Sequence, residues 1–246
     1  MKKLTILSLA ALVFLASCGP KTEGTDAEVS EAKEVTETSL AAATYNVSTE
    51  ESQVTWIGSK PVGKHDGYIP ISNGDIKLEE GNIVGGSITI NVAELQCEDL
   101  ASDSTMKAKL EGHLLSEDFF AASEYPTAEF VITSVEAYSS DEIIQNKEEL
   151  DFEYKPASAS EHIVESPTHK ITGNLTMRGT TLSISFPANV DIRDNTISAQ
   201  AKFNIDRTRW GLSYGEEATI TEKAQDKFIY NTVNVGFDLK ANAASI

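Results

Sequence analysis

Apolar residues fall on every second position through long stretches of the chain. From Leu182 the run is Leu182, Ile184, Phe186, Ala188, Val190 and Ile192, with Ser, Pro, Asn and Asp between. After Asp194-Asn195 it resumes as Ile197, Ala199, Ala201, Phe203 and Ile205, and near the end as Val233, Val235, Phe237 and Leu239. Ile171, Gly173, Leu175 and Met177 repeat it before Arg178-Gly179-Thr180. A period of two marks antiparallel strands with one face in a core and one in water. Residues 76–78 and 83–92, joined through Glu80-Gly81-Asn82, read as a hairpin. Residues 53–57 and 127–135 bring the total to about eight strands. Ser104 to Leu115 departs from the pattern: Met106, Leu110 and Leu114 at four-residue spacing predict a short amphipathic helix. Ser116 reads as the cap of a second helix that carries Phe119 and Phe120.

The chain is therefore all-β, built as a sandwich or a closed up-and-down barrel. Gly173, Ala188, Ala199 and Ala201 point inward and are small. A filled core favours larger side chains, because voids are costly. Small inward residues suit an apolar cavity that holds an elongated ligand, unless large residues opposite fill the space. Periodicity leaves both readings open.

Outside the strands the sequence changes character. Lys2 and Lys3 precede an apolar stretch, residues 4–16, of signal-peptide length and too short to span a bilayer comfortably. It ends in Leu15-Ala16-Ser17-Cys18-Gly19, which resembles the lipobox of bacterial lipoproteins, so residues 1–17 are expected to be removed and Cys18 acylated. The acyl chains of such proteins exceed the two signals that stable anchoring requires. Residues 18–44 then read as a flexible acidic linker, and residues 45–246 as one barrel domain. A polar excursion over about 139–168 has too little apolar material for its own core.

Charge supports this division. Twenty Lys and Arg stand against 38 Asp and Glu, a net −18, and losing Lys2 and Lys3 takes this to −20. Residues 19–44 carry a net −4 and residues 139–168 a net −6, so half the charge lies outside the barrel. Such acidity excludes the basic face that nucleic acid needs and docking by charge onto anionic lipid. Two Cys and four His argue against a disulfide framework or a multi-ligand zinc site, and no cofactor is expected. Cys97, without a CxxC or a sequence-near His, reads as a small buried residue or a redox thiol. No G-x-S-x-G, H-E-x-x-H or phosphate loop occurs, so no catalytic residue is assigned.

A series of short motifs resembles the YceI-like family. It comprises Thr44-Tyr45-Asn46-Val47, Val54-Thr55-Trp56, residues 60–67 and Lys109-Leu110-Glu111-Gly112-His113-Leu114. Asp118-Phe119-Phe120, Tyr125-Pro126-Thr127, residues 171–179 and Ile205-Asp206-Arg207-Thr208-Arg209-Trp210-Gly211 follow in order. The match spans about residues 45–242, with the acidic excursion as its main departure. The resemblance implies an extended, eight-stranded lipocalin-like β-barrel with a helical segment, whose lumen takes a polyisoprenoid or related lipid chain. Together with the lipobox it points to a carrier or storage protein of the cell envelope, lipid-anchored at Cys18 on the periplasmic side of the outer membrane or at the cell surface. A non-enzymatic interaction protein with a filled barrel and an enzyme on an isoprenoid-like substrate are the alternatives. The partners expected are the lipid, the membrane and, as an open option, a second copy of the chain.

Candidate ligand residues follow from parity. Arg207 shares the inward parity of Ile205 at a strand end, and its planar fork suits an anionic head group, unless it ties the barrel end instead. Trp210 would form an aromatic wall. Phe119, Phe120, Leu175, Phe186, Ala199, Ala201 and Phe203 would line the lumen. His65, in the glycine-bounded stretch 63–67, would sit on a mouth loop, whereas outward Arg178 has a structural turn role.

Overall fold

The computed structural model describes residues 24–36, 38–39, 41–139, 163–217 and 228–244. Cys18 and most of the acidic excursion lie outside these residues. The described elements are strands β1 (Glu28–Glu31), β2 (Ala43–Val47), β3 (Gln53–Lys60), β4 (Gly63–Glu79), β5 (Asn82–Ile90) and β6 (Gln96–Cys97). Helix α1 (Ser104–Leu115) precedes β7 (Ala128–Ala137), β8 (His169–Met177), β9 (Thr180–Arg193), β10 (Thr196–Asp206) and β11 (Thr232–Ala243).

Eight antiparallel positions close into a barrel, in the order β9, β10, β11, β2 with β3, β4, β5, β7, β8 and back to β9. β2 and β3 share one position. β3 bridges β11 and β4 through Val235↔Trp56↔Gly67, and β2 does so nearer the other end, with Ala241↔Val47 and Tyr45↔Ile76. Closure removes the edges on which further strands could add. The alternation in the sequence drives it: inward Ile71, Ile171, Ile184, Phe186, Ile197 and Phe203 form one core cluster. Two of the hairpins turn on two residues with positive φ, Glu80-Gly81 and Arg178-Gly179, as the right-handed strand twist requires.

Three expectations are corrected. Residues 63–67 are not a loop: they open the 17-residue β4, paired with β3 from Lys60↔Gly63 onward. Gly67, Pro70 and Gly74 interrupt the alternation there, which hides the strand in the sequence. Ser116 starts no second helix. It ends α1, its hydroxyl donating to His113 O at 2.7 Å and accepting from Asp118 N at 3.3 Å. Residues 24–33 and Thr38, assigned to a flexible linker, pack on the barrel.

That packing closes a seam. The β9–β10 ladder stops at Ala201↔Ala188, although β10 continues along β11 to Asp206 and β9 along β8 to Thr180. Inside the gap, Phe186 and Phe203 stack with centroids 4.1 Å apart and planes 8° off parallel. In the wall, Ala27 N–H donates to Asn204 O at 2.9 Å and Asn204 N–H donates to Thr25 O at 2.8 Å. β1 then pairs with β9 from Glu28↔Ser185 to Glu31↔Leu182. Ala27 and Val29 pack against the core, so the segment completes the wall. Farther on, Thr38 lies over Gly85 of β5.

Candidate functional site

A cavity of about 420 Å³ lies inside the barrel, within the roughly 300–1,000 Å³ of small-molecule sites. Its wall is apolar along most of its length, with Ile83, Ile88, Phe130, Ile132, Ile171, Ile184 and Phe237 among the lining side chains. α1 contributes Leu110, His113 and Leu114, whereas Met106, the first residue of the predicted stripe, is exposed. Asp103 holds the start of α1 by accepting from Met106 N at 3.0 Å.

Polar side chains enter the lining at one end only. Val233↔Gly58, Asp206↔Thr232 and Lys60↔Gly63 set the β3–β4 hairpin, the end of β10 and the start of β11 side by side. Ser59, Lys60, His65, His113 and Arg207 line the cavity there. Lys60 is exposed, and nothing among the described residues pairs with its ammonium.

Arg207 is a different kind of cation. It is 3% exposed. Its Nε donates to Tyr230 O at 3.1 Å and its Nη2 to Ile229 O at 3.0 Å, while Nη1 donates to Leu212 O. The guanidinium also lies 5.7 Å from the Phe119 ring centroid. Burial pushes its pKa down, against nearby Asp206, Glu216 and Glu217. Arg178 does similar work outside, donating to Phe119 O, Gly211 O and Glu117 O, each at 2.7 Å. The two arginines fasten the turn after α1 and the Arg207–Trp210 turn to the barrel end.

The sequence profile of the YceI-like domain matches residues 45–241. The chain belongs to the YceI-like family. Among solved structures, the YceI-like barrel is similar to BcnA of Burkholderia cenocepacia, with a TM-score of 0.54 at 18% identity over 80% of this chain and 99% of that one. It is also similar to a polyisoprenoid binding domain from Saccharophagus degradans implicated in plant cell wall breakdown. There the TM-score is 0.51 at 14% identity, covering 82% of this chain and 99% of that one. A search of curated proteins returns no match.

In the YceI-like barrel, His65, Phe119, Phe120, Leu175, Phe186, Ala199, Phe203 and Arg207 line the lumen. Two other candidates do not. Trp210 is fully buried, its Nε1 donating to Leu175 O at 3.1 Å, and acts as a core wedge. Ala201 faces inward, yet sits in the packed core between its register partners Ala188 and Phe237, where the Phe186–Phe203 stack leaves no free wall. Arg207 ties the barrel end, the alternative held open beside a head-group role, but through backbone carbonyls where an acidic partner was expected. Parity alone cannot distinguish Arg207 from a rim cation, because its carbonyl partners lie on the later segment around Ile229 and Tyr230. Most of the lining was not predicted as ligand contacts, Trp56 and Lys60 among it. Trp56 belongs to an alternating strand and could have been found by parity.

Proposed function

We propose that the protein binds an elongated amphiphile, its apolar chain in the lumen and its polar or anionic head beside Lys60. One observation carries this reading: the lining is apolar except at one end, where an unpaired cation stands. An isoprenoid or fatty chain with a phosphate or carboxylate head matches that gradient, and the likeness to a polyisoprenoid binding domain is in keeping with it. The protein acts as a carrier or store, without turnover. The apolar run before Cys18 and the lipobox-like motif support export and acylation at Cys18, hence action at the envelope.

Native mass spectrometry of protein purified from membranes without delipidation tests this. The expected result is a one-to-one adduct of lipid mass, with polyprenyl phosphate taken up by stripped protein. Trp56 lines the lumen and Trp210 does not. A fluorescence change on uptake should therefore disappear in Trp56→Phe and persist in Trp210→Phe. Apo mass alone, together with no uptake of polyprenyl phosphate or fatty acid, would overturn the proposal.

A further inference from the structure

Three metal-ligating side chains that are remote in sequence meet beside the polar end of the lumen. His65 comes from β4, Cys97 ends β6, and Asp99 follows two residues later. The register Gly67↔Cys97 draws them together. A Cβ on Gly67 would run into the Gln96 carbonyl, so only glycine lets β6 close onto β4. Glu98 N–H donates to Asp66 O at 2.8 Å and holds the next residue in place. Asp99 then bridges the other two: Oδ2 is 2.8 Å from His65 Nδ1, and Oδ1 is 3.1 Å from Cys97 Sγ and 3.2 Å from Asp66 N.

We propose that His65, Cys97 and Asp99 bind a zinc-type divalent cation. This proposal is independent of what occupies the lumen. Their three ligand atoms lie within 4.8 Å of one another. A tetrahedral ion with bonds of about 2.0–2.3 Å needs donors about 3.3–3.8 Å apart, so small side-chain shifts complete the geometry. A thiolate, an imidazole and a carboxylate together select a borderline-soft ion and disfavour magnesium or calcium. The support around them is already built. Glu111 of α1 accepts from Cys97 N–H at 2.9 Å and pairs with Lys107 at 3.6 Å, which ties the helix to the cysteine backbone.

Access comes from one side. Cys97 is fully buried, whereas the His65 and Asp99 side chains are 35% and 26% exposed. On binding, Cys97 releases its thiol proton to solvent. His65 moves its ring proton from Nδ1 to Nε2, which frees the Nδ1 lone pair for the ion. Thiolate and carboxylate together neutralise the dication. Three protein ligands leave a fourth position open, beside a lumen that His65 also lines.

The test uses the full chain carrying Cys18→Ser, so that Cys97 is the sole thiol, stripped with a chelator and titrated with zinc in excess magnesium. One equivalent is expected, and cobalt in its place should give the thiolate-to-metal absorption band. Cys97→Ser should abolish that band, and both it and His65→Ala should weaken zinc at least tenfold. His65 is partly exposed, so its variant should keep the native circular dichroism spectrum and serve if Cys97→Ser misfolds. Glu111→Ala, which takes away the acceptor of Cys97 N–H, should weaken zinc by about 10-fold. Failure to retain zinc over magnesium, or equal binding by His65→Ala and the parent, would overturn the site.

Discussion

The side chain of Asn174 on β8 holds the peptide of Lys33 from both sides. Its Nδ2 donates to Lys33 O at 2.7 Å and its Oδ1 accepts from Lys33 N at 2.8 Å. The side-chain amide thus stands in for a strand neighbour, and it fixes the N-terminal segment just after β1 leaves the seam. Asn174→Ala removes both bonds and should cost about 1–2 kcal/mol. Hydrogen exchange at Ala27 to Lys33 should accelerate well beyond that in β8. Asn174→Asp keeps the acceptor but sets a buried carboxylate oxygen against Lys33 O, so its effect should be at least as large. Exchange unchanged in Asn174→Ala would sever the link between this contact and the seam.

Arg207 should behave as a structural clamp. Arg207→Met strands three carbonyl acceptors, those of Tyr230, Leu212 and Ile229. A loss of about 3–5 kcal/mol in urea unfolding is expected. Arg207→Lys should recover only part of it, because one ammonium cannot span a fan of three carbonyls. A variant of native stability that has lost only lipid uptake would restore the head-group role.

Two alanines of the same strand and parity should respond in opposite ways. Ala199 lines the lumen, so Ala199→Leu should fill free space, keep stability and cut lipid uptake at least tenfold. Ala201 is packed, and Ala201→Leu should cost about 1–3 kcal/mol by overpacking. Thermal unfolding and a lipid titration on the two variants separate these outcomes.

Burial pushes the Glu217 carboxyl above the usual carboxylate range, although it accepts from Asn231 N–H and faces Arg207. A raised folded-state pKa means that the folded chain holds the proton more tightly than the unfolded one. Stability should therefore fall as pH rises from the ordinary carboxylate pKa to the raised one, then level off. Glu217→Gln keeps an oxygen for Asn231 and removes this loss. Urea midpoints from about pH 4 to 7 should show the variant gaining on the parent, with no difference at the acid end.

How far the sequence reveals this molecule depends on how many alternating residues an element has. β8 to β11 carry long periodic runs, and their positions, turns and inward faces are readable. α1 is readable in position, but of its predicted stripe only Leu110 and Leu114 reach the lumen. β1 is four residues long and its segment turns only Ala27 and Val29 inward, too few to rise above an acidic background. β4 is long, but Gly67 and Gly74 stand where neighbouring chains press close, and they erase its pattern. In the site, parity finds the lining but not its depth, which is why Ala199 and Ala201 look alike. His65 and Cys97 are linked only through the β4–β6 register, and nothing local in the sequence signals that pairing.

The seam changes the length of the leash. Counted to Tyr45, an anchor on Cys18 would have 27 residues and a reach of about 95 Å. The wall, however, already engages the chain at Thr25. Seven residues then remain, able to extend no more than about 25 Å. If Cys18 is acylated as proposed, the barrel stays within about that distance of the bilayer, and lipid has only a short gap to cross.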